Sequence, residues 1–536
     1  LFPAVQAQLF NPHQEFTRQD TLRGSITPER NWWDVIHYDL NVRVFPDKKS
    51  ISGSNIITYK VLEEGNIMQI DLQEPMKITR IIQNGAEVDF EREGSVFWAM
   101  LDQDKDIGSE EKVIIFFEGN PKVALRPPWD GGITWNTDQN GKPFIASSNQ
   151  GIGASIWWPN KDHAYDEPDN GMMIRVRVPE NLMDVSNGRL DRVEEHGDGT
   201  KTWHWKVTNP INNYGVNINI GDYVHFGEKY PGEKGMLDMD YYVLSYNKEI
   251  AMKHFADARR TLEALEYWFG PYPFYEDSYK LVEAPYLGME HQSSVTYGND
   301  FMMGYKGTDL SSSGWGLKFD FIIIHESGHE WFANNITYKD VADMWIHESF
   351  TNYSENLFLE YFYGPEAGRE YVLGTRLGIK NDRPMVGIYD VHFEGSGDMY
   401  NKGGNMLHTI RNVINNDVLW RNILRGLNKD YYHQTVTSAQ IENYISEKAG
   451  MDMSKIFDQY LRDIRIPTLE YTFKDDKLRY RWSNTVSGFD MPVRVSVDGI
   501  EYWLDPTTNW KRKEINGQVL VVDKNFYIGS MNTLGN

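Results

Sequence analysis

The 536-residue chain contains no cysteine, which excludes disulfides, thiolate metal ligands and thiol catalysis but leaves its compartment open. It has no apolar run long enough to read as a membrane-spanning helix. Repeats and low-complexity tracts are also missing, so neither a solenoid nor an extended disordered segment is expected. Cations are in short supply: 54 Lys and Arg face 77 Asp and Glu, a formal charge of -23, which argues against nucleic acid and anionic membrane surfaces as partners. Apolar material is ample, at 40% hydrophobic and 14% aromatic residues. A chain of this length exceeds one core, so two to four domains are expected.

The patterning divides the chain as a multidomain α+β protein. Residues 1–31 read as an N-terminal arm. A β-rich domain is expected over 32–230, where Tyr38, Leu40, Val42 and Val44 alternate and Asn84-Gly85 signals a hairpin turn. Residues 231–465 begin with a strand, continue in a helix over 248–269 stopped by Gly270-Pro271, and are then mostly helical. Thr437 with Gln440 forms a capping-box signature near the end of that block. Residues 466–536 return to short strands, with a turn at Asp475-Asp476, as in a small β-sandwich. The chain opens without Met, and Val5-Gln6-Ala7 is similar to the small-residue end of a secretory signal cleaved after Ala7. A periplasmic or secreted location is expected on that basis, with an ordinary N-terminal arm and a cytoplasmic location as the alternative.

The most informative run is His325, Glu326, Ser327, Gly328, His329, followed after eighteen residues by Glu348. On a helix, residues four apart are about 40° from eclipsed, so His325 and His329 project from one face and can share a metal ion. Glu326, turned about 100° from His325, falls beside that ion, where a carboxylate can take a proton from an activated water. Glu348 supplies a third ligand from a second helix that reads over 345–355. Two His and one Glu with a position left open is the pattern of a catalytic zinc site, whereas structural sites are closed and usually rich in cysteine. One Zn2+ per chain is expected.

This run resembles the aminopeptidase N family of zinc metallopeptidases, the gluzincin aminopeptidases, including their leukotriene-hydrolase branch. Thermolysin-like endopeptidases share the three ligand types, so a second motif decides. Leu287-Gly288-Met289-Glu290-His291 is similar to the family's G-x-M-E-N segment, which implies Glu290 as the anion that pairs with a substrate's free amino group, with Gly288 and Met289 beside it. Tyr400-Asn401-Lys402-Gly403 is similar to the family's Y-x-K-G segment, which implies Tyr400 as the donor to the oxyanion. Gln150, opening Gln150-Gly151-Ile152-Gly153-Ala154-Ser155, matches a segment whose Gln or Glu also faces the amine. Around the ligands, Glu355 lies two helical turns after Glu348 and can accept from a ligand His, with Asn352 a further partner. His347 precedes the third ligand, and Lys339 matches a lysine the family carries between the two helices. The chain departs from the family at Leu287, His291, His347, Ser155 and Asn160, where Gly, Asn, Asn, Arg and Cys are usual.

The resemblance implies a thermolysin-like catalytic domain between the β domain and the sandwich, without the C-terminal helical domain of larger relatives. It implies hydrolysis of the N-terminal peptide bond of peptides with a free amine; a monomer is expected. The alternatives are a thermolysin-type endopeptidase, which needs no amine anchor, an epoxide hydrolase of the leukotriene branch, and a binding protein without catalysis.

Overall fold

A computed structural model describes residues 15–102 and 105–533; the signal-like Val5-Gln6-Ala7 lies outside them. Among the described residues, no helix is long and apolar enough to cross a membrane. The β-rich N-terminal region is built on an eight-stranded sheet in which Trp33–Phe45 and Ser50–Val61 lie at the centre. Alternation sets the faces: Tyr38, Leu40, Val42 and Val44 are buried within Trp33–Phe45. Trp33–Phe45 pairs in parallel with Met172–Pro179 and antiparallel with Ser50–Val61. A smaller four-stranded sheet matters more for the site, because its strand Pro143–Ser148 runs directly into Asn149 and Gln150.

The next region combines a five-stranded sheet with helices. Its strand order is Tyr223–Gly232, Gly235–Leu244, Tyr279–Glu283, Val295–Tyr297, Gly288–Met289. The expected division at residue 230 therefore falls inside a hairpin, and the sheet that carries the site starts at Tyr223. Local patterning marks each strand but not its partner. The helix expected over 248–269 is also divided, into Lys248–His254 and Ala256–Phe269 (α1). Phe255 interrupts it, its ring buried against Tyr241, Tyr297 and Phe301.

Three further helices hold the candidate chemistry: Phe321–Gly328 (α2), Trp345–Tyr363 (α3) and Asn401–Ile414 (α4). Asp320 caps α2, accepting from the amides of Ile322 and Ile323 at 2.9 and 3.2 Å, so the helix starts at a fixed point five residues before His325. Helix α3 is buried on all sides from Trp345 to Leu359 and is the axis on which α2 and α4 pack. Glycines permit the close approach. A Cβ at Gly328 would stand 2.7 Å from Ser354 Oγ, and one at Gly403 2.0 Å from Ser349 Oγ and 2.6 Å from its Cβ. The glycine of Tyr400-Asn401-Lys402-Gly403 is thus a packing requirement between α4 and α3.

After residue 465, strands form a four-stranded and a three-stranded sheet whose buried side chains join the same core as the helices. Asp475 and Asp476 both take positive φ, 54° and 55°, in the tight turn between Thr468–Lys474 and Lys477–Ser483. The described architecture is therefore mixed α+β, with β-rich regions on either side of a helical one.

Replacing Gly403 by Ala would force α4 away from α3, as in other overpacked cores, and should destabilise the fold by about 1–3 kcal/mol. Thermal unfolding of Gly403→Ala measures this; an unchanged melting temperature would mean that the two helices part without cost.

Candidate metal and peptidase site

His325 and His329 leave one face of the α2 segment, and Glu348 enters from the first turn of α3. Their ligand atoms lie within 4.8 Å of one another. Glu348 Oε2 is 3.7 Å from His325 Nε2 and 3.4 Å from His329 Nε2. The ring tautomers follow from the partners on the far side. His325 Nδ1 is 2.9 Å from Glu355 Oε1, and a carboxylate can only accept, so Nδ1 carries a proton and, in the neutral ring, Nε2 presents its lone pair. His329 Nδ1 is 3.0 Å from the Phe332 carbonyl and from Thr351 Oγ1, which fixes that ring in the same way. Glu348 Oε2 is buried and receives no hydrogen bond, although it faces both Nε2 atoms. Two imidazole lone pairs and an undonated carboxylate oxygen converging on one point form an N2O donor set that fits zinc.

The groups behind the rings complete their orientation. Glu355 accepts from Tyr371 at 2.6 Å through its other oxygen, and Asn352 Nδ2 is 3.4 Å from the first. His325 also stacks on Phe321 at 5.2 Å and faces the ring of Tyr400 at 6.0 Å, 24° from parallel. Tyr400 itself is half-buried at the start of α4. Glu326 lies beside the cluster, and Gly288 is pressed against it: a Cβ there would stand 2.8 Å from Glu326 Oε1.

Glu290 follows the edge strand Gly288–Met289, which pairs antiparallel with Val295–Tyr297. Its main-chain carbonyl is held by Asn334 Nδ2 at 2.9 Å. Gln150 arrives from the N-terminal region, its Nε2 donating to Glu290 Oε1 at 2.6 Å and to Glu348 Oε1 at 2.9 Å. One neutral amide thus joins the candidate amine anchor to the candidate third ligand. A glutamate at 150 could donate to neither and would add a third negative charge.

Burial and charge pull against each other throughout the cluster. Burial pushes the Glu326 carboxyl up to about 8 and also raises Glu290. Glu348 is held below the usual carboxylate range although burial opposes this, because His329 and His325 face it. The two rings are raised against the effect of burial, His325 chiefly by Glu348 and Glu355 and His329 chiefly by the charges of Glu348 and Glu290. The carboxylates that draw protons to these rings would equally draw a metal cation. Burial and then the neighbouring carboxylates drive the Tyr400 hydroxyl well above its ordinary value.

Other expected residues are placed differently. Lys339 is exposed just past the strand Ile336–Tyr338, apart from the buried ligands, because the chain turns outward there before α3. Met289 packs into a small apolar cluster with Ala146, Ala284 and Tyr286. His347 is fully buried, its Nε2 accepting from the Tyr338 amide at 2.8 Å, and His291, next to Glu290, is also buried, with burial holding it near 3. Sequence reasoning missed Thr351 and Tyr371. Thr351 is within its reach, being three residues after Glu348 on the same helical face, whereas Tyr371 comes from another element and carries no local signal.

Residues 254–460 match the Peptidase family M1 domain. The chain is 20% identical over 459 residues to Probable aminopeptidase 1 of Sulfurisphaera tokodaii, covering 82% of this chain and 54% of that protein. It is 22% identical over 481 residues to Aminopeptidase N of Lactobacillus helveticus, covering 82% and 52%. The chain thus spans about half the length of these relatives. Its fold is similar to that of the M1 zinc metallopeptidase from Deinococcus radiodurans, with a TM-score of 0.67 at 19% identity over 83% of this chain and 96% of that one.

Removing the acceptor behind His325, by Glu355→Ala, should weaken zinc affinity about 10–100-fold. Competition with a chromophoric chelator reads this directly; undiminished affinity would show that stacking on Phe321 alone orients the ring.

Proposed function

We propose, on the premise that this chain carries a peptidase family M1 domain, that it is a zinc aminopeptidase releasing the first residue of peptides with a free amino terminus. The observation that carries the reading is the Gln150 bridge: Glu290 is separated from Glu348 by a single side-chain amide. An anion held at that distance from the metal ligands suits a substrate whose ammonium and first carbonyl are one residue apart.

When bound, zinc supplies Lewis acidity that polarises the scissile carbonyl and makes a water more acidic. His325, His329 and Glu348 would hold it. Glu326, its proton affinity raised by burial, takes a proton from the attacking water and returns it to the leaving amine. Tyr400, beside His325, donates to the oxygen on which charge develops. Glu290 pairs with the ammonium, and Gln150, whose amide hydrogens are committed to two carboxylates, offers its carbonyl oxygen to the same group. Gly288 leaves room for Glu326 to lie against the strand that carries the anchor.

The finer expectations follow from one chain. All three candidate ligands belong to it, so each chain would hold one zinc, and a monomer is proposed with it. A periplasmic or secreted location rests on Val5-Gln6-Ala7 alone.

Two measurements test the assignment. With free and N-acetylated versions of one peptide series, cleavage should require the free amine and cease with a chelator; equal cleavage of both versions would overturn the exopeptidase reading. Glu326→Gln should lower kcat by about 10^2–10^4 while zinc content stays that of the parent, since only the proton carrier is removed. A variant retaining parental turnover would exclude Glu326 as the base.

A further inference from the structure

The turn that carries Gln150 is tight and is held from outside its own region. The Gln150 main-chain carbonyl accepts from the Ile152 amide at 2.8 Å, a hydrogen bond that closes three residues around Gly151, whose φ is 73°. Three-residue turns of this hand are rare and strained, and a glycine at the centre lowers their cost without removing it. The neighbouring residues are anchored within the N-terminal region. Asn149 Nδ2 donates to the Val216 carbonyl at 3.1 Å, Gln73 Nε2 donates to the Ile152 carbonyl at 2.7 Å, and Asp162 accepts from the amides of Ala154 and Ser155 at 3.2 and 3.1 Å.

The Gly151 carbonyl is held differently, by Arg23 Nη2 at 2.9 Å and His392 Nε2 at 2.8 Å. A carbonyl can only accept, so His392 carries its proton on Nε2; burial, with Arg23 beside it, holds the ring near 3 and therefore neutral. Arg23 stands in the last turn of the helix Arg18–Gly24. That turn is fixed by Gln69, which donates to the Leu22 carbonyl at 3.0 Å, and by buried Arg30, which donates to the Arg23 carbonyl at 3.2 Å. His392 comes from the helical region, in a loop closed by the Ile388 amide on the Phe393 carbonyl at 2.9 Å. The two arrivals are packed together: a Cβ at Gly24 would stand 2.0 Å from the His392 main-chain nitrogen, and the rings of Phe16 and Phe393 meet edge to face at 5.7 Å.

These contacts act on Gln150 through one peptide plane. The peptide between Gly151 and Ile152 gives its carbonyl to Arg23 and His392 and its amide to Gln150, so gripping one end sets the direction from which the other meets the Gln150 main chain. The Gln150 side chain must then reach two carboxylates at once, Glu290 at 2.6 Å and Glu348 at 2.9 Å, which tolerates little rotation of the backbone behind it. We infer that Arg23 and His392 are positioning residues: they clamp the Gly151 carbonyl and through it hold Gln150 in the bridge that faces a substrate's amino group. The inference rests on the reading of Gln150 and Glu290 as the amine site.

The test uses the zinc-loaded full chain and an unblocked peptide, with kcat, KM, zinc affinity and melting temperature recorded for each variant. Arg23→Met, which keeps an apolar stem but loses a charged donor, should raise KM about tenfold, and His392→Phe, which keeps a ring without a donor, about threefold. In both, kcat and zinc affinity should stay within about twofold of the parent. His392→Gln restores a neutral donor and should recover most of the parental KM. In a Gln150→Ala background, Arg23→Met should change KM by less than about twofold, because the side chain it positions is gone. If Arg23→Met does not fold, His392→Phe is carried through the same cycle. An unchanged KM in either folded variant, or an equal rise in the Gln150→Ala background, would overturn the inference. Failure of the underlying reading shows separately, as equal cleavage of free and acetylated peptides by the parent enzyme.

Discussion

Two imidazole lone pairs and a carboxylate oxygen aimed at one buried point are a standing electrostatic demand, and most of the surrounding structure exists to keep them there. Left to themselves, such groups would turn to other donors or take up protons, as the raised histidines show. Each is instead held from behind. Glu355 and Tyr371 act on one ring, and the Phe332 carbonyl and Thr351 on the other. Helix α3 supplies Glu348, Thr351 and Glu355 from a single rigid element, so the spacing of the cluster is set by helical geometry rather than by loops.

That rigidity depends on how near the helices come. Gly328 and Gly403 are pressed against side chains of α3, and larger residues there would separate the elements by more than the tolerance of a metal site. Asp320 adds a fixed start to α2 through its two amide contacts, and is itself secured by Tyr297, at 2.8 Å, and by Asn299, at 2.9 Å. Packing and capping thus reach the chemistry through a few defined positions.

Much of the site was legible in sequence because its signals are local. The spacing of His325, Glu326 and His329 on one turn, the helical offset from Glu348 to Glu355, and the run ending in Glu290 each lie within a single element or its edge. The fold was legible in the same measure: alternation marked Trp33–Phe45, and Thr437 with Gln440 marked the start of Ser438–Ala449. What escaped depends on pairing across the chain. The hairpin joining Tyr223–Gly232 to Gly235–Leu244 pairs strands across residue 230, and Tyr371 reaches the site from an element with no spacing relation to the motif. Lys339 shows the converse, a residue close in sequence to the ligands that the backbone turns outward.

The strand Pro143–Ser148 delivers Gln150 to a carboxylate pair that belongs to another sheet and another helix. The Gln150 bridge is therefore a seam, owned by neither side. Any ligand that touched both Glu290 and Gln150 would cross-link the two regions, and its binding energy would be coupled to how firmly they are joined. The spacing between Glu290 and Glu348 is then set by how the strand bearing Gln150 docks against the other two elements, so the interface between the regions, more than either wall, fixes the distance from one carboxylate to the other.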